Sequence, residues 1–224
     1  MDIPAITAIL DAAERDGRDV LLDTEGLALL AALGLPAPTY LFVCRGANVD
    51  AGALERLPGA KAVVKVVSPQ ILHKSDVGGV AIVDKSAGAV TDAIARMDAT
   101  LGAKGVVGYT VSEFVPYSPA LGRELLVGLR WTDDVGPVVT VGAGGIYTEH
   151  LAKAFRPGRD VALFSPATTA PGDLAPALEP VAVVQLATRP LRGQPPLLPL
   201  GRVEALAAAF LELGRALGPR IAEF

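Results

Sequence analysis

Cysteine is nearly absent: Cys44 stands alone in a chain of 224 residues, so no disulfide can close within it. A single thiol fits a reducing compartment. Also missing is any run of about 18 apolar residues free of charge and proline, the length a membrane-spanning helix requires. The opening Met1-Asp2-Ile3-Pro4 has no basic segment followed by an apolar one, which is not the pattern of a secretory leader. A soluble, cytoplasmic protein is therefore expected. Nor is there a basic block. The formal net charge is −4 with acids and bases dispersed, so neither nucleic acid nor an anionic membrane has an electrostatic footprint to bind. A chain of this length can bury a substantial core, and it reads better as two small lobes than as one large domain.

The most informative stretch runs from Lys61 to Val80. Ala62 to Val67 is an apolar run rich in β-branched valine and stopped by Ser68-Pro69, which reads as a strand buried on both faces except at Lys65. A buried ammonium is costly unless paired, so Lys65 either snorkels to an edge or meets an anion. The loop that follows gathers His73, Lys74, Ser75, Asp76, Gly78 and Gly79. Paired glycines let backbone N–H groups approach a phosphate, because no Cβ stands in the way. Val80 to Val83 then reads as a return strand.

Val64-Lys65-Val66-Val67-Ser68-Pro69 followed by Ile71-Leu72-His73-Lys74-Ser75-Asp76-Val77-Gly78-Gly79-Val80 resembles the signature of the ATP-grasp domain, beta-subunit type, of NDP-forming (ADP-forming) acyl-CoA synthetases. The resemblance implies an α/β ATP-grasp fold over residues 1–224, with two α+β lobes, approximately 20–110 and 111–224, and the nucleotide held between them. It implies part of an acid–CoA ligase that converts acid, ATP and CoA to acyl-CoA, ADP and phosphate. ATP or ADP and Mg2+ are then the expected ligands. A CoA-binding and ligase region, in another chain or segment, is the expected partner that brings the carboxylic acid and CoA.

In that family a histidine of the His-Lys-Ser-Asp loop is implicated as a phosphoryl carrier, and His73 matches it. A neutral imidazole is a competent nucleophile, and Lys65, Lys74, Gly78 and Gly79 would stabilise the moving charge. Pro69 and the glycines at the loop's ends would let it swing. Without those neighbours a loop histidine reads as structural.

Elsewhere, Ile3 to Ala13 and Asp23 to Gly34 read as helices, the second opened by an Asp or Thr cap and stopped by Gly34 and Pro36. Tyr40 to Val43 reads as an edge strand. Val90, Ile94, Met97 and Leu101 mark one face of a helix, which makes Met97 a core residue. Gly105 to Val115 reads as a strand ending at Pro116, where the family joins its lobes and holds adenine. Adenine needs an acceptor for its amino group and a donor for a ring nitrogen, which the backbone of Phe114 and Val115 with Glu113 beside them would supply. An exposed strand glutamate is the other reading of Glu113.

Arg123 to Leu129 and Gly136 to Val141 read as two more strands around a turn at Trp131 to Asp134, the second leading into Gly142-Ala143-Gly144-Gly145. By resemblance Glu124 lies near the ribose or metal, and Gly144 and Gly145 near the phosphates. A tight turn would use the same glycines. His150, beside Glu149, reads as a structural histidine before a base. Past it the match loosens, and Asp160 stands in for a family acid.

Eight prolines between Pro166 and Pro199 disfavour long helices and suggest a surface-running connection, although Arg192-Gly193-Gln194-Pro195-Pro196 again resembles the family. Arg202 to Leu217 reads as an amphipathic helix with Val203, Leu206, Phe210, Leu213 and Leu217 on one side. Ile221 to Phe224 ends where the family continues into an Asn-Pro-Leu strand and a further acid that hold magnesium, so the resemblance puts the metal ligands beyond Phe224. Two other functions stay open. One is an adenine-nucleotide-binding regulatory module without turnover; the other is an ATP-grasp ligase joining a carboxylate to an amine, which gives no reason for a loop histidine.

Overall fold

The computed structural model describes residues 1–145, 148, 153–156 and 158–220, and the chain divides into two compact units, Met1–Pro116 and Tyr117–Phe224. The division falls after the strand that ends at Glu113 rather than within it.

The first unit opens with a hairpin of α1 (Ile3–Arg15) and α2 (Asp23–Ala32). Asp2 Oδ1 accepts the Ala5 N–H at 3.1 Å and caps α1. The start of α2 differs in detail from the expected Asp or Thr cap: Leu22 holds the cap position, and Glu25 reaches back to accept its N–H at 2.7 Å. Asp23 and Glu25 thus sit in the first turn, where the helix dipole favours a carboxylate. Gly34, at φ +75°, lets the chain turn away from the helix end.

Four strands follow, β1 (Tyr40–Cys44), β2 (Lys61–Val67), β3 (Val80–Asp84) and β4 (Gly108–Glu113), in the order β1-β4-β2-β3 with every pair antiparallel. α3 (Ala51–Glu55) and α4 (Ala87–Leu101) complete the unit. One sheet face is core. Ala62, Val64, Val66, Tyr109 and Val111 pack there with Leu54, Val90, Ala93, Met97 and Leu101, each fully buried valine worth about 1.5–3 kcal/mol. On β2 these residues alternate with Lys61, Val63 and Lys65, which are exposed or half-buried. The reading of β2 as buried on both faces holds in part: on the face of Lys65, Val67 is fully buried, but Val63 is half-buried and Lys61 exposed, so that face of the antiparallel strand is only partly covered. Arg45 Nε donates to Asp98 Oδ1 at 2.6 Å and the Tyr109 hydroxyl donates to the same oxygen at 2.9 Å, tying β1, β4 and α4 together. These two bonds hold the Asp98 carboxyl below the usual carboxylate range.

In the second unit β5 (Leu125–Thr132), β6 (Gly136–Ala143) and β7 (Val161–Phe164) form an antiparallel sheet in that order. Its buried face carries Leu129, Val139, Val141, Ala162 and Phe164. α5 (Leu174–Leu178), α6 (Ala182–Thr188) and α7 (Leu200–Leu217) follow, with α7 against β5 and β6. At Gly214 the absence of a side chain matters, since a Cβ there would lie 2.5 Å from Pro166 Cγ.

The expected surface-running connection is corrected too. Leu174, Leu178, Val181, Val183, Val184 and Ala187 are all buried. The prolines stop long helices without preventing short ones. Pro199 caps α7 and Pro176 lies within the short α5, so both occupy helix-start geometry that tolerates a missing N–H. None of the described helices is long and apolar enough to cross a membrane.

Candidate functional site

In the first unit the pairing register fixes what shares a face with Lys65. Lys65 lies opposite Val80 on β3 and Thr110 on β4, and Thr110 in turn opposite Phe42 on β1. The next row is Ile82, Val63, Ser112 and Tyr40. Lys65 thus stands half-buried on the partly covered face, flanked by the hydroxyl-bearing Thr110 and Ser112, both buried. Among the described residues its ammonium has no ion-pair partner. Thr110 and Ser112 were not foreseen as neighbours of Lys65. Their signal is the alternation of small polar residues in Gly108-Tyr109-Thr110-Val111-Ser112-Glu113.

Strand alternation puts Glu113 on the opposite face. Its Oε1 accepts the Thr39 N–H at 2.7 Å, and its own N–H donates to the Thr39 carbonyl at 2.9 Å, so this carboxylate secures the start of β1. The structure does not bring it to Lys65. The Phe114 N–H donates to the Lys61 carbonyl at 3.4 Å, and Val115 beyond it is exposed.

The loop between β2 and β3 is closed on itself. The Gly78 N–H donates to the Ser75 carbonyl at 3.3 Å and the Gly79 N–H to the Lys74 carbonyl at 2.7 Å, while the Gly79 carbonyl accepts the Val66 N–H at 2.9 Å. Both glycine N–H groups, expected to face a phosphate, are here occupied by the loop's own turn. Gly79 needs to be glycine for packing, because a Cβ would lie 2.6 Å from Val66 Cγ1. Gly78 takes φ +74° at the end of the turn Ser75–Val77. Lys74 Nζ lies 2.8 Å from Asp23 Oδ2, an ion pair that nothing local in the sequence announced. His73 is exposed, with Leu72 64% exposed beside it.

The second unit brings together residues that the sequence separates. Glu124 lies just before β5 and Gly144-Gly145 just after β6, and antiparallel pairing sets those ends side by side. The Gly144 N–H donates to the Glu124 carbonyl at 3.0 Å. The Glu124 carboxylate rests directly against the Cα of Gly145, at φ +70°, on the side where a Cβ would project. Asp160 lies at the same sheet end, just before the β7 residue Val161 that pairs with Gly142. Its Oδ1 is buried and without a hydrogen-bond partner among the described residues. A carboxylate oxygen so placed is unfavourable unless a donor or cation reaches it. The Thr148 hydroxyl, with one proton to donate, lies 2.8 Å from the Gly145 carbonyl and 3.0 Å from the Ala143 carbonyl. Glu149, His150 and Ile221 to Phe224 lie outside the described residues.

An ATP-grasp domain model matches residues 12–207. The 4-hydroxybutyrate–CoA ligase (ADP-forming) of Nitrosopumilus maritimus is 35% identical over 147 residues, which are 64% of this chain and 20% of that ligase. Subunit beta of acetate–CoA ligase (ADP-forming) I from Pyrococcus furiosus is 34% identical over 152 residues, 64% of this chain and 60% of the subunit. The chain thus spans only a fifth to three fifths of the length of these relatives. Among solved structures, acetyl-coenzyme A synthetase 1 of Ca. Korarchaeum cryptofilum, in complex with coenzyme A and Mg-AMPPCP and with its phosphohistidine segment pointing towards the nucleotide binding site, matches with TM-score 0.70 and 27% identity over 97% of this chain and 89% of that one.

Proposed function

Because this chain belongs to the ATP-grasp domain family, and its relatives are ADP-forming acid–CoA ligases, we propose that it is the nucleotide-binding part of such a synthetase. The overall reaction takes acid, ATP and CoA to acyl-CoA, ADP and phosphate, with the CoA-binding and ligase region supplied by a partner. The observation that carries this reading is the meeting of Glu124 with Gly144 and Gly145. An acid and a glycine turn held at one sheet end are what a metal–phosphate group needs, a charge to complete the metal shell and a backbone that can be approached closely.

Lys65 contributes the phosphate-facing cation of the first unit, and the backbone at Phe114 and Val115 reads the adenine edge. Lys74, Gly78 and Gly79 serve the loop. The described residues contain no cluster of three or more metal-ligating side chains, yet magnesium needs only one or two carboxylates beside phosphates and water. Glu124 and Asp160, whose Oδ1 has no hydrogen-bond partner among the described residues, fit that demand. When bound, the ion neutralises charge on the phosphates.

His73 is the carrier. Its ring nitrogen attacks the phosphorus of the partner's phosphohistidine, so one P–N bond forms as the other breaks. An oxygen of the ADP β-phosphate then takes the phosphoryl group, giving ATP and free His73; the reverse sequence loads the partner from ATP. ADP titration by calorimetry in the presence of magnesium tests the site: Glu124→Gln should weaken binding about tenfold, or ~1.4 kcal/mol. Unchanged affinity, or no acyl-CoA formed from acid, ATP and CoA once the partner region is present, would overturn the reading.

A further inference from the structure

Resting on that reading of His73, we propose that Asp23 is a positioning residue for phosphoryl transfer, acting through Lys74 to fix the loop that presents the imidazole. Lys74 is anchored at two points. Its carbonyl accepts the Gly79 N–H at 2.7 Å, and Gly79 is itself bonded to Val66 of β2. Its ammonium meets Asp23 at 2.8 Å, with the two side chains only 19% and 22% exposed. At that exposure the pair is less screened by water than an ordinary surface ion pair. The backbone bond ties the residue to the sheet and the ion pair ties it to α2.

The α2 end of this tether is itself rigid. Asp23 stands in the first turn, where the helix dipole favours its charge before Lys74 arrives. Arg18 grips the Glu25 carboxylate with both Nη atoms, at 2.7 and 2.6 Å, and donates to the Val20 carbonyl at 3.1 Å. Burial alone would raise the Glu25 carboxyl, but Arg18 and the Leu22 N–H outweigh it and hold it below the usual range. At the far end the Asp2 N–H donates to the Ala32 carbonyl at 2.8 Å. The hairpin is therefore braced at both ends, and Asp23 extends that bracing to the residue next to His73. The imidazole meets the phosphorus from a fixed base, which matters because a misplacement of about 1 Å can cost about a hundredfold in rate.

The test uses the chain together with its partner region. In a single turnover from ATP, Asp23→Asn should slow phosphohistidine formation at His73 about tenfold or more, leave the ADP dissociation constant within about twofold, and let trypsin cut after Lys74. Asp23→Glu should recover most of the rate. Asp23→Ser, a small polar residue in the first turn of α2, serves as a second neutral variant if the first folds poorly. Adding Asp23→Asn to Lys74→Gln should cost little more than Lys74→Gln alone, since the two side chains act as a unit.

An unchanged phosphorylation rate in the neutral variants overturns the proposal, even if trypsin now cuts the loop. So does a dissociation constant that rises in step with the rate loss, which would place Lys74 on the nucleotide. Full turnover in His73→Ala would instead remove the carrier reading, while trypsin cleavage would still report whether Asp23 holds the loop.

Discussion

The chain contains two glycine pairs that look alike in sequence and do different work. Gly78 and Gly79 use their N–H groups to close the turn Ser75–Val77, and Gly79 packs against Val66. Gly144 donates to the Glu124 backbone, and Gly145 leaves the space its Cβ would have taken to the Glu124 carboxylate. In the proposed reading the first pair supports the residue that carries chemistry, and the second pair belongs to a ligand surface. A glycine pair in a sequence states that Cβ atoms are absent, and the tertiary partner decides what the absence is for.

The largest effect should come from the loop of the first pair. His73→Ala should reduce synthetase turnover by about a thousandfold or more, as removal of a covalent carrier does, and leave ADP affinity nearly unchanged. The acid-labile, base-stable phosphoryl adduct should vanish with it. Turnover near the normal rate would make the first loop as structural as its glycines.

Next in size are the glycines themselves. Gly79→Ala drives a methyl group into Val66 Cγ1 and the Lys74 carbonyl, on backbone that cannot yield cheaply. Thermal or urea unfolding should show a loss of about 2–3 kcal/mol. Gly145→Ala meets only the end of a flexible glutamate, so its cost is the left-handed backbone, about 1–2 kcal/mol. It should, however, displace the Glu124 carboxylate and weaken magnesium-dependent nucleotide binding, which Gly79→Ala should not. The reverse pattern, with affinity lost at Gly79 and stability at Gly145, would exchange the two roles.

Much of the first unit could be read from the chain. β3 and the core placement of Met97 follow from local periodicity, and Lys65 stood out because charge is costly within a valine run. Glu124, Gly144 and Gly145 were singled out by the family resemblance alone, and their meeting at one sheet end comes from the β5–β6 register. What stayed hidden depends on partners far apart in the chain. Asp23 meets Lys74 and Glu113 meets Thr39 through tertiary contacts that leave no period in the sequence. The proline-rich stretch misled for another reason: proline limits helix length but says nothing about burial, and the short helices α5 and α6 among the prolines still bury leucine and valine.

The smallest expected effect concerns the charges beside each pair. Lys65 is a half-buried cation on one face of the first sheet, whereas Glu124 and Asp160 are acids at the end of the second. A cation can meet phosphate oxygens directly, but a carboxylate near phosphate is repelled unless a metal lies between them. Lys65→Met keeps the length and apolar stem of the side chain and removes only the charge. It should weaken ADP binding about tenfold, ~1.4 kcal/mol, the lower end of what a hydrogen bond to a charged group contributes. The loss should be the same with and without magnesium, whereas the loss in Glu124→Gln should appear only when magnesium is present. Calorimetric titrations of both variants at two magnesium concentrations measure this. A change at Lys65 within about twofold, ~0.4 kcal/mol, would take it off the phosphates and leave its exposure on a valine strand to simple snorkelling. Equal magnesium dependence in the two variants would show that both charges act through the same metal-bound group.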